Sequence, residues 1–522
     1  MRIHRVSIDG FKNLNRFSVA LDDKCLTTVI LGQNATGKSN LLEALVLIFR
    51  NLDLGEPSPF KYDIEYECRG KLVHIVATEP AQLASTTVTV DGQPITISAF
   101  IKDPDRQYLP NNVFGYYSGP SSRFESHFAR HQEKFYRQLL ENRDDEAIRP
   151  LFYARLIHSQ FVLLAFFYAK EEQETAQFLR EYLQIEDLES VLFVLKEPSW
   201  KSPQGDKRFW NSRGVVQKFL DQLYTQALAP IRLRERVNLD LTKSTMQERL
   251  YLYLRDRQTL RQLRAEYATS AEFFKALEST YLSKLLAEVR IRVRIRGCSD
   301  SLTFRELSEG EQQLLTVLGL LRFTRDKEAL FLLDEPDTHL NPVWSLHYLE
   351  LLKQVVGDDT SSHIIMTTHD PLTIAGLTKN EVRVMLRGEE SCEIRAMIPE
   401  HDPKGMGVSG ILTSELFGLR SDLDLETLKL LDEKRALSAK KELSGRDKKR
   451  LAKLRESLQS LDLSSRVRDP LYRQFVKALT ADEEFKETRE TTLTPEQQKR
   501  RTELARKSLR KVKAEMRKGS KA

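Results

Sequence analysis

Near its start the chain reads Leu26-Thr-Thr-Val-Ile-Leu31-Gly32-Gln-Asn-Ala-Thr-Gly37-Lys38-Ser39-Asn40. The first six residues are apolar or β-branched and predict a buried strand. After Lys38, Leu41, Leu42, Ala44, Leu45 and Ile48 recur at spacings of three and four, which predicts a helix. Between the two, Gly32 to Ser39 fits the phosphate-loop pattern GxxxxGK[ST] in the strand–helix setting that gives it meaning. Glycines let backbone N–H groups curl around an anion, and the helix N-terminus adds its positive dipole end. Lys38 would reach the β- and γ-phosphates, and the Ser39 hydroxyl would meet Mg²⁺.

Three further motifs follow in order. Leu330-Phe-Leu-Leu-Asp334-Glu335-Pro336 is an apolar strand ending in two carboxylates. Burying such a pair is costly unless a cation or a water network needs it. Asp334 is expected in the Mg²⁺ shell, and Glu335 is expected to orient or deprotonate the attacking water. About twenty residues earlier, Leu307-Ser308-Glu309-Gly310-Glu311-Gln312 opens an apolar helix. There Ser308 and Gly310 offer a hydroxyl and a bare amide as a second anion site, although alone the stretch is a helix cap. Finally Ile364-Ile-Met-Thr-Thr-His369-Asp370 is a strand delivering a histidine, one strand–helix–strand step after the carboxylates.

Composition narrows the class. Of 522 residues, 30% are charged, and the longest purely apolar run is the nine residues Phe161 to Ala169. A membrane span needs about 20, so no transmembrane helix is expected, and the polar opening Met1-Arg-Ile-His-Arg does not read as a signal peptide. Cys25, Cys68, Cys298 and Cys392 are far apart and form no CxxC pair. That excludes a disulfide scaffold or zinc ribbon and points to a cytoplasmic protein. The net charge of +6 divides into −4 over residues 1–420 and +10 over residues 421–522. The tail from Glu496 to Ala522 holds 11 basic and 3 acidic residues, which suggests an anionic partner or a solvated terminal helix. Strand signals between 60 and 118 give way to a mainly helical pattern from about 120 to 288. In Val289-Arg-Ile-Arg-Val-Arg-Ile-Arg296 the period of two puts four arginines on one face. That row could track phosphates, and the simpler reading is an exposed sheet face paired with local carboxylates.

The four motifs, together with the stretch Asp337–Pro342, resemble those of an ABC-type ATPase: Walker A (Gly32–Ser39), signature (Leu307–Gln312), Walker B (Leu330–Glu335), D-loop (Asp337–Pro342) and His switch (His369). Asn34 in the loop and Asn40 after it, together with Gly10-Phe-Lys-Asn-Leu14, resemble the SMC/RecF/OLD branch. The signature departs from LSGGQ at Glu309 and Glu311. The expected fold is α/β, an ABC-type ATPase head with an inserted helical lobe and a helical, basic C-terminal extension. Expected boundaries are 1–118 (N-terminal lobe), 119–288 (helical insertion), 289–400 (C-terminal lobe) and 401–522 (extension). Within the branch, Tyr116-Tyr-Ser-Gly-Pro-Ser-Ser122, Phe152-Tyr-Ala-Arg155 and Gly405 to Leu419 resemble the PtuA ATPases of Septu-type and retron-associated antiphage defence.

The resemblance implies ATP and Mg²⁺ as ligands, with Gly32, Asn34, Gly37, Lys38, Ser39 and Asn40 on ATP, and Ser39 and Asp334 on the metal. It implies a head-to-head homodimer in which Ser308 and Gly310 of one chain face the γ-phosphate held by the other. Glu335 and His369 are then catalytic, and Gln160 is the candidate Q-loop glutamine. A PtuB-like HNH nuclease is the implied partner, with DNA or retron nucleic acid as a further one. Two alternatives stand beside this reading. One is a RecF-like repair ATPase without a nuclease. The other is an OLD-type nuclease, whose Toprim site would need Asp422-Leu-Asp424, a pair that reads more simply as the N-cap of a following helix.

Overall fold

The computed structural model describes residues 1–103, 105–141, 149–168, 173–238, 244–263, 267–298, 301–323, 328–356, 361–388, 393–440, 443–460 and 503–512. They fall into two units, Met1–Arg420 and Ser421–Ala522. The phosphate-loop strand is Thr27–Gly32, and it lies inside a seven-stranded sheet. From one edge the order is Ile394–Met397, Val382–Arg387, Thr27–Gly32, Ser362–Thr367, Ala329–Asp334, Asn112–Tyr117 and Leu151–Tyr153. Every neighbouring pair is parallel except the first. A parallel sheet is covered on both faces, so its strands read as continuous apolar runs. Ala329–Asp334 and Ser362–Thr367 are buried at every position.

A second, antiparallel sheet has six strands, in the order Phe17–Ala20, Arg2–Asp9, Lys61–Cys68, Lys71–Ala77, Thr86–Val90 and Gln93–Ile95. Helix Lys38–Leu54 shares one core with both sheets. Leu41, Leu42, Leu45, Ile48 and Phe49 cluster with Ile3, Val6 and Ile8 of the antiparallel sheet, and with Leu330, Leu332 and Ile365 of the parallel one. Each such side chain contributes about 1.5–3 kcal/mol by leaving water. The phosphate loop is therefore clamped at both ends by packed elements.

The helices expected between 119 and 288 are present, notably Ala129–Glu141, Ile157–Tyr168, Gly214–Gln226 and Ser270–Leu282. With them are three strands the sequence reading did not place: Ile185–Lys196, Ile231–Asn238 and Ser244–Leu254. They join Leu286–Ile295 and Ser301–Thr303 in a five-stranded antiparallel sheet, so the inserted lobe is mixed rather than all-helical. The reason is physical. Val191 to Leu195 is an apolar run whose period does not tell helix from strand, and the arginines of Ile231–Asn238 are good helix formers in isolation. The lobe and the ATPase sheet are also interleaved. Leu151–Tyr153 belongs to the seven-stranded sheet, while Leu286–Ile295, which contains most of the strand Val289–Arg296 expected at the start of the C-terminal lobe, joins the five-stranded one. Along Leu286–Ile295, Val289, Ile291 and Val293 are buried and Arg290, Arg292 and Arg294 are exposed, as the period predicted. Arg290 pairs with Glu288 at 2.9 Å and Arg294 with Asp187 at 2.8 Å.

Residues 401–420, assigned by sequence to the extension, pack with the first unit. Lys404 N donates to Leu377 O at 2.9 Å, and Ile411 and Leu416 join its main core. The second unit contains helices Leu425–Ser438 and Gly445–Ser460, which meet through Leu437, Leu451 and Leu454. Asp424 caps the first of them, accepting from Glu426 N at 3.0 Å and Thr427 N at 2.9 Å, as the N-cap reading expected. Of the basic tail, only 503–512 lies within the described residues, and it is helical. No described helix is long and apolar enough to cross a membrane.

Candidate functional site

The loop between Thr27–Gly32 and Lys38–Leu54 is held from three sides. Gly37 occupies the left-handed region (φ +90°), where a Cβ would lie 2.8 Å from Asn13 Oδ1. It is the N-cap of the helix and supplies no side-chain acceptor, which leaves the first-turn amides to a ligand. Asn13 Nδ2 donates to Ala35 O at 2.9 Å, and Asn40 Nδ2 donates to Asn13 Oδ1 at 2.6 Å. Asn40 thus braces the loop through Asn13, whereas Asn34 is exposed. Lys38 Nζ curls back across the loop to Gly32 O at 2.8 Å and Gln33 O at 3.2 Å. Burial pushes the Lys38 pKa down, against the pull of Glu335 and Asp334.

Asp334 ends its strand beside the start of that helix. Ser39 Oγ donates to Asp334 Oδ1 at 3.1 Å, and Thr367 Oγ1 donates to the same oxygen at 2.6 Å. Asp334 is 2% exposed. Burial pushes its pKa up, and the hydrogen bonds from Thr367 and Ser39 oppose the rise. Glu335 sits in the left-handed region (φ 53°), a conformation costly for a residue with a Cβ. Its N–H donates to Thr367 Oγ1 at 3.0 Å and Thr367 O at 3.2 Å. That turn separates the two carboxylates, one inward to Ser39 and the other toward His369, whose Nε2 is 3.6 Å from Glu335 Oε1. Burial and the nearby Lys38 charge lower the His369 pKa, with Glu335 opposing, which favours the neutral imidazole. A buried carboxylate facing a serine hydroxyl at the mouth of an anion-binding loop suits Mg²⁺ with a phosphate, since hard cations take oxygen ligands.

The signature stretch is a helix cap, the reading that its sequence gives when taken alone. Ser308 N and Oγ both donate to Glu311 Oε2, at 2.7 and 2.8 Å, and Glu311 N donates to Ser308 Oγ at 3.3 Å. This is a capping box in which the chain's own carboxylate occupies the anion site. A Cβ on Gly310 would lie 2.4 Å from His339 O, so this glycine admits the D-loop backbone. Asp337 in that loop is buried and accepts from Thr368 Oγ1 at 2.5 Å and Thr373 Oγ1 at 2.6 Å. Burial outweighs those bonds and raises its pKa to about 6. No described hydrogen bond or ion pair joins Ser308 or Gly310 to Lys38 or Ser39.

No described hydrogen bond joins Gln160 to the phosphate loop. It lies on Ile157–Tyr168, a helix packed through Val162 against Gly319 of the signature helix Glu309–Phe323. Its Oε1 is buried with no hydrogen-bond partner among the described residues, and none of its described bonds reaches Lys38, Ser39 or Asp334. The segment that does reach them leaves the sheet at Tyr117. Ser118 N donates to Asp334 O at 3.3 Å, and Ser118 Oγ donates to Thr338 Oγ1 at 3.2 Å. Sequence reasoning missed Thr367 and Ser118. The Thr367-Thr368 doublet before His369 was the available signal for the first.

Comparison with known proteins finds one family model and several partial relatives. A protein-family model described as "AAA domain, putative AbiEii toxin, Type IV TA system" matches residues 27–375. The Septu protein PtuA of Bacillus mycoides is 32% identical over 156 residues, covering 28% of this chain and 21% of that protein. The cytochrome c biogenesis ATP-binding export protein CcmA of Idiomarina loihiensis is 35% identical over 100 residues, covering 19% of this chain and 42% of that one. The matches thus span between a fifth and about two fifths of these curated relatives. Among solved structures, an SMC head bound to the C-winged helix domain of ScpA covers 76% of this chain and 98% of its own. Its identity is 12% and its TM-score 0.34. The SMC head domain from Thermotoga maritima covers 77% and 100%, with 14% identity and a TM-score of 0.32.

Proposed function

Since the chain belongs to this AAA-domain family, with a Walker-type site of the ABC kind and a stretch similar to Septu PtuA, we propose that it binds and hydrolyses ATP to regulate a partner nuclease in antiphage defence. One observation carries the enzymatic part: Ser39 and Thr367 converge on Asp334 while Glu335 turns away toward His369. Lys38, released from its loop carbonyls, would neutralise the β- and γ-phosphates together with the amides that follow Gly37. Ser39 and Asp334 are the residues that would hold Mg²⁺, which when bound supplies charge neutralisation at the phosphate oxygens. Glu335 would accept the proton of the attacking water as the new P–O bond forms and the β–γ bridge breaks to ADP and phosphate. His369, neutral, would hydrogen-bond the transferred group.

The rest of the reading concerns assembly. Ser308 and Gly310 would face the γ-phosphate of a second copy in a head-to-head homodimer, after the Glu311 carboxylate has moved aside. Closing and reopening of that dimer would pass to a PtuB-like HNH nuclease, with DNA or retron nucleic acid as the further partner, in the cytoplasm. The test is phosphate release by the chain and by Glu335→Gln, followed by capture of tagged Glu335→Gln with ATP from its host. Turnover lost in the variant and an HNH-type protein recovered in near-stoichiometric amount support the proposal. Wild-type turnover in Glu335→Gln overturns the assignment of the base. Recovery of repair proteins without a nuclease favours the RecF-like alternative.

A further inference from the structure

Helix Lys38–Leu54 carries, one turn beyond Ser39, the carboxylate of Glu43, which is 1% exposed and gathers three basic groups. Lys12 Nζ pairs with its Oε2, His127 Nε2 lies 2.9 Å from the same oxygen, and Arg123 Nε lies 2.8 Å from Oε1. Burial pushes the Glu43 pKa up, but the hydrogen bonds of His127 and Lys12 and the charges of Lys12 and Arg123 outweigh it. Glu43 is therefore an anion, and one buried anion needs fewer than three basic partners. Arg123 is the surplus one, and at 49% exposed it is the freest of the three.

Its position gives the surplus a direction. The segment holding Arg123 leaves the parallel sheet at Tyr117 and touches the Asp334 backbone through Ser118. It then enters the inserted lobe through the turn Glu125–Phe128 and the helix Ala129–Glu141. Glu43, on which Arg123 rests, lies on the same helix as Ser39 and four residues beyond it. A guanidinium parked on a carboxylate at the edge of a phosphate-binding site can exchange that partner for a phosphate, because its planar fork fits either one. The exchange strands no buried charge, since Glu43 keeps Lys12 and His127.

We propose that Arg123 reads the γ-phosphate: it rests on Glu43 in the nucleotide-free chain and pairs with the terminal phosphate of ATP bound at the phosphate loop of the same chain. This rests on the ATPase reading above. ADP lacks the group that draws Arg123 away, so the start of the inserted lobe differs between the two nucleotide states.

The test titrates fluorescent ATP and ADP analogues onto the full chain carrying Glu335→Gln, which holds ATP uncleaved, with and without Arg123→Gln. Loss of a charge-assisted contact is expected to weaken ATP about tenfold and to leave ADP within about twofold, with Arg123→Lys intermediate. Equal weakening of both nucleotides marks a merely structural residue and overturns the proposal, as does an unchanged ATP affinity. If Arg123→Gln does not fold, Arg123→Lys keeps Glu43 paired and is read by the same ratio. Failure of the Glu335→Gln chain to bind either nucleotide overturns the ATPase reading instead, a separately visible outcome.

Discussion

Thr367 Oγ1 donates to Asp334 Oδ1 at 2.6 Å and accepts from Glu335 N at 3.0 Å, so one hydroxyl sets the orientation of both acidic residues. Thr367→Val keeps the shape and removes the hydroxyl. It is expected to lower kcat about 10- to 100-fold, the effect of leaving a charged group one hydrogen bond short. Thr367→Ser should retain most of the rate. Phosphate release under saturating ATP checks both.

The Ser308–Glu311 capping box predicts opposite effects on stability and assembly. Glu311→Gln weakens the cap and removes a favourable negative charge from a helix N-terminus, costing about 1 kcal/mol. It also removes a carboxylate that competes with an incoming phosphate. The expected result is a Tm lower by a few degrees together with stronger ATP-dependent association, read by static light scattering in parallel with a thermal melt.

Gly310→Ala tests the contact between signature and D-loop. The new Cβ meets the His339 carbonyl at 2.4 Å, and backbone cannot swing aside as a side chain can. The D-loop must shift, so turnover is expected to fall at least tenfold while a fluorescent nucleotide still binds the phosphate loop.

Far from this site, Glu278 is buried against His158 Nε2 at 2.8 Å and Arg149 Nη1 at 2.9 Å. Burial alone would raise its pKa, but the His158 and Arg149 charges and their hydrogen bonds hold it at about 2. A depressed carboxylate pKa stabilises the fold above its unfolded value and loses that contribution as pH falls through the folded one. Stability should therefore drop between about pH 4.5 and 2. In urea titrations across that range, Glu278→Gln should be less stable at neutral pH and should flatten the slope.

Elements whose pattern is local were legible. Gly32 to Ser39 lies between a strand and a helix, and Asp334 and Glu335 follow an apolar run that is a buried strand. The alternation around Val289, Ile291 and Val293 fixed a strand and its buried face. What stayed hidden depends on through-space partners. Nothing local marks Glu43 as the meeting point of Lys12, Arg123 and His127, which come from two segments far from it in sequence. Gln160 was chosen by residue type alone, and what its helix contacts, Val162 against Gly319 of the signature helix, is a through-space relationship that no local pattern records. The strand Ile231–Asn238 was missed because its arginines are good helix formers in isolation, and the pairing that makes it a strand comes from Ser244–Leu254.

The short strand Leu151–Tyr153 has a consequence for anyone wishing to dissect the molecule. It is the outermost member of the parallel sheet and the cover of Asn112–Tyr117. A minimal catalytic fragment made by splicing residue 118 to residue 289 would discard that cover. It would leave the backbone N–H and C=O groups of a buried, apolar strand open to any passing chain, which is a recipe for precipitation. A usable fragment has to retain the stretch around Arg149 to Tyr168.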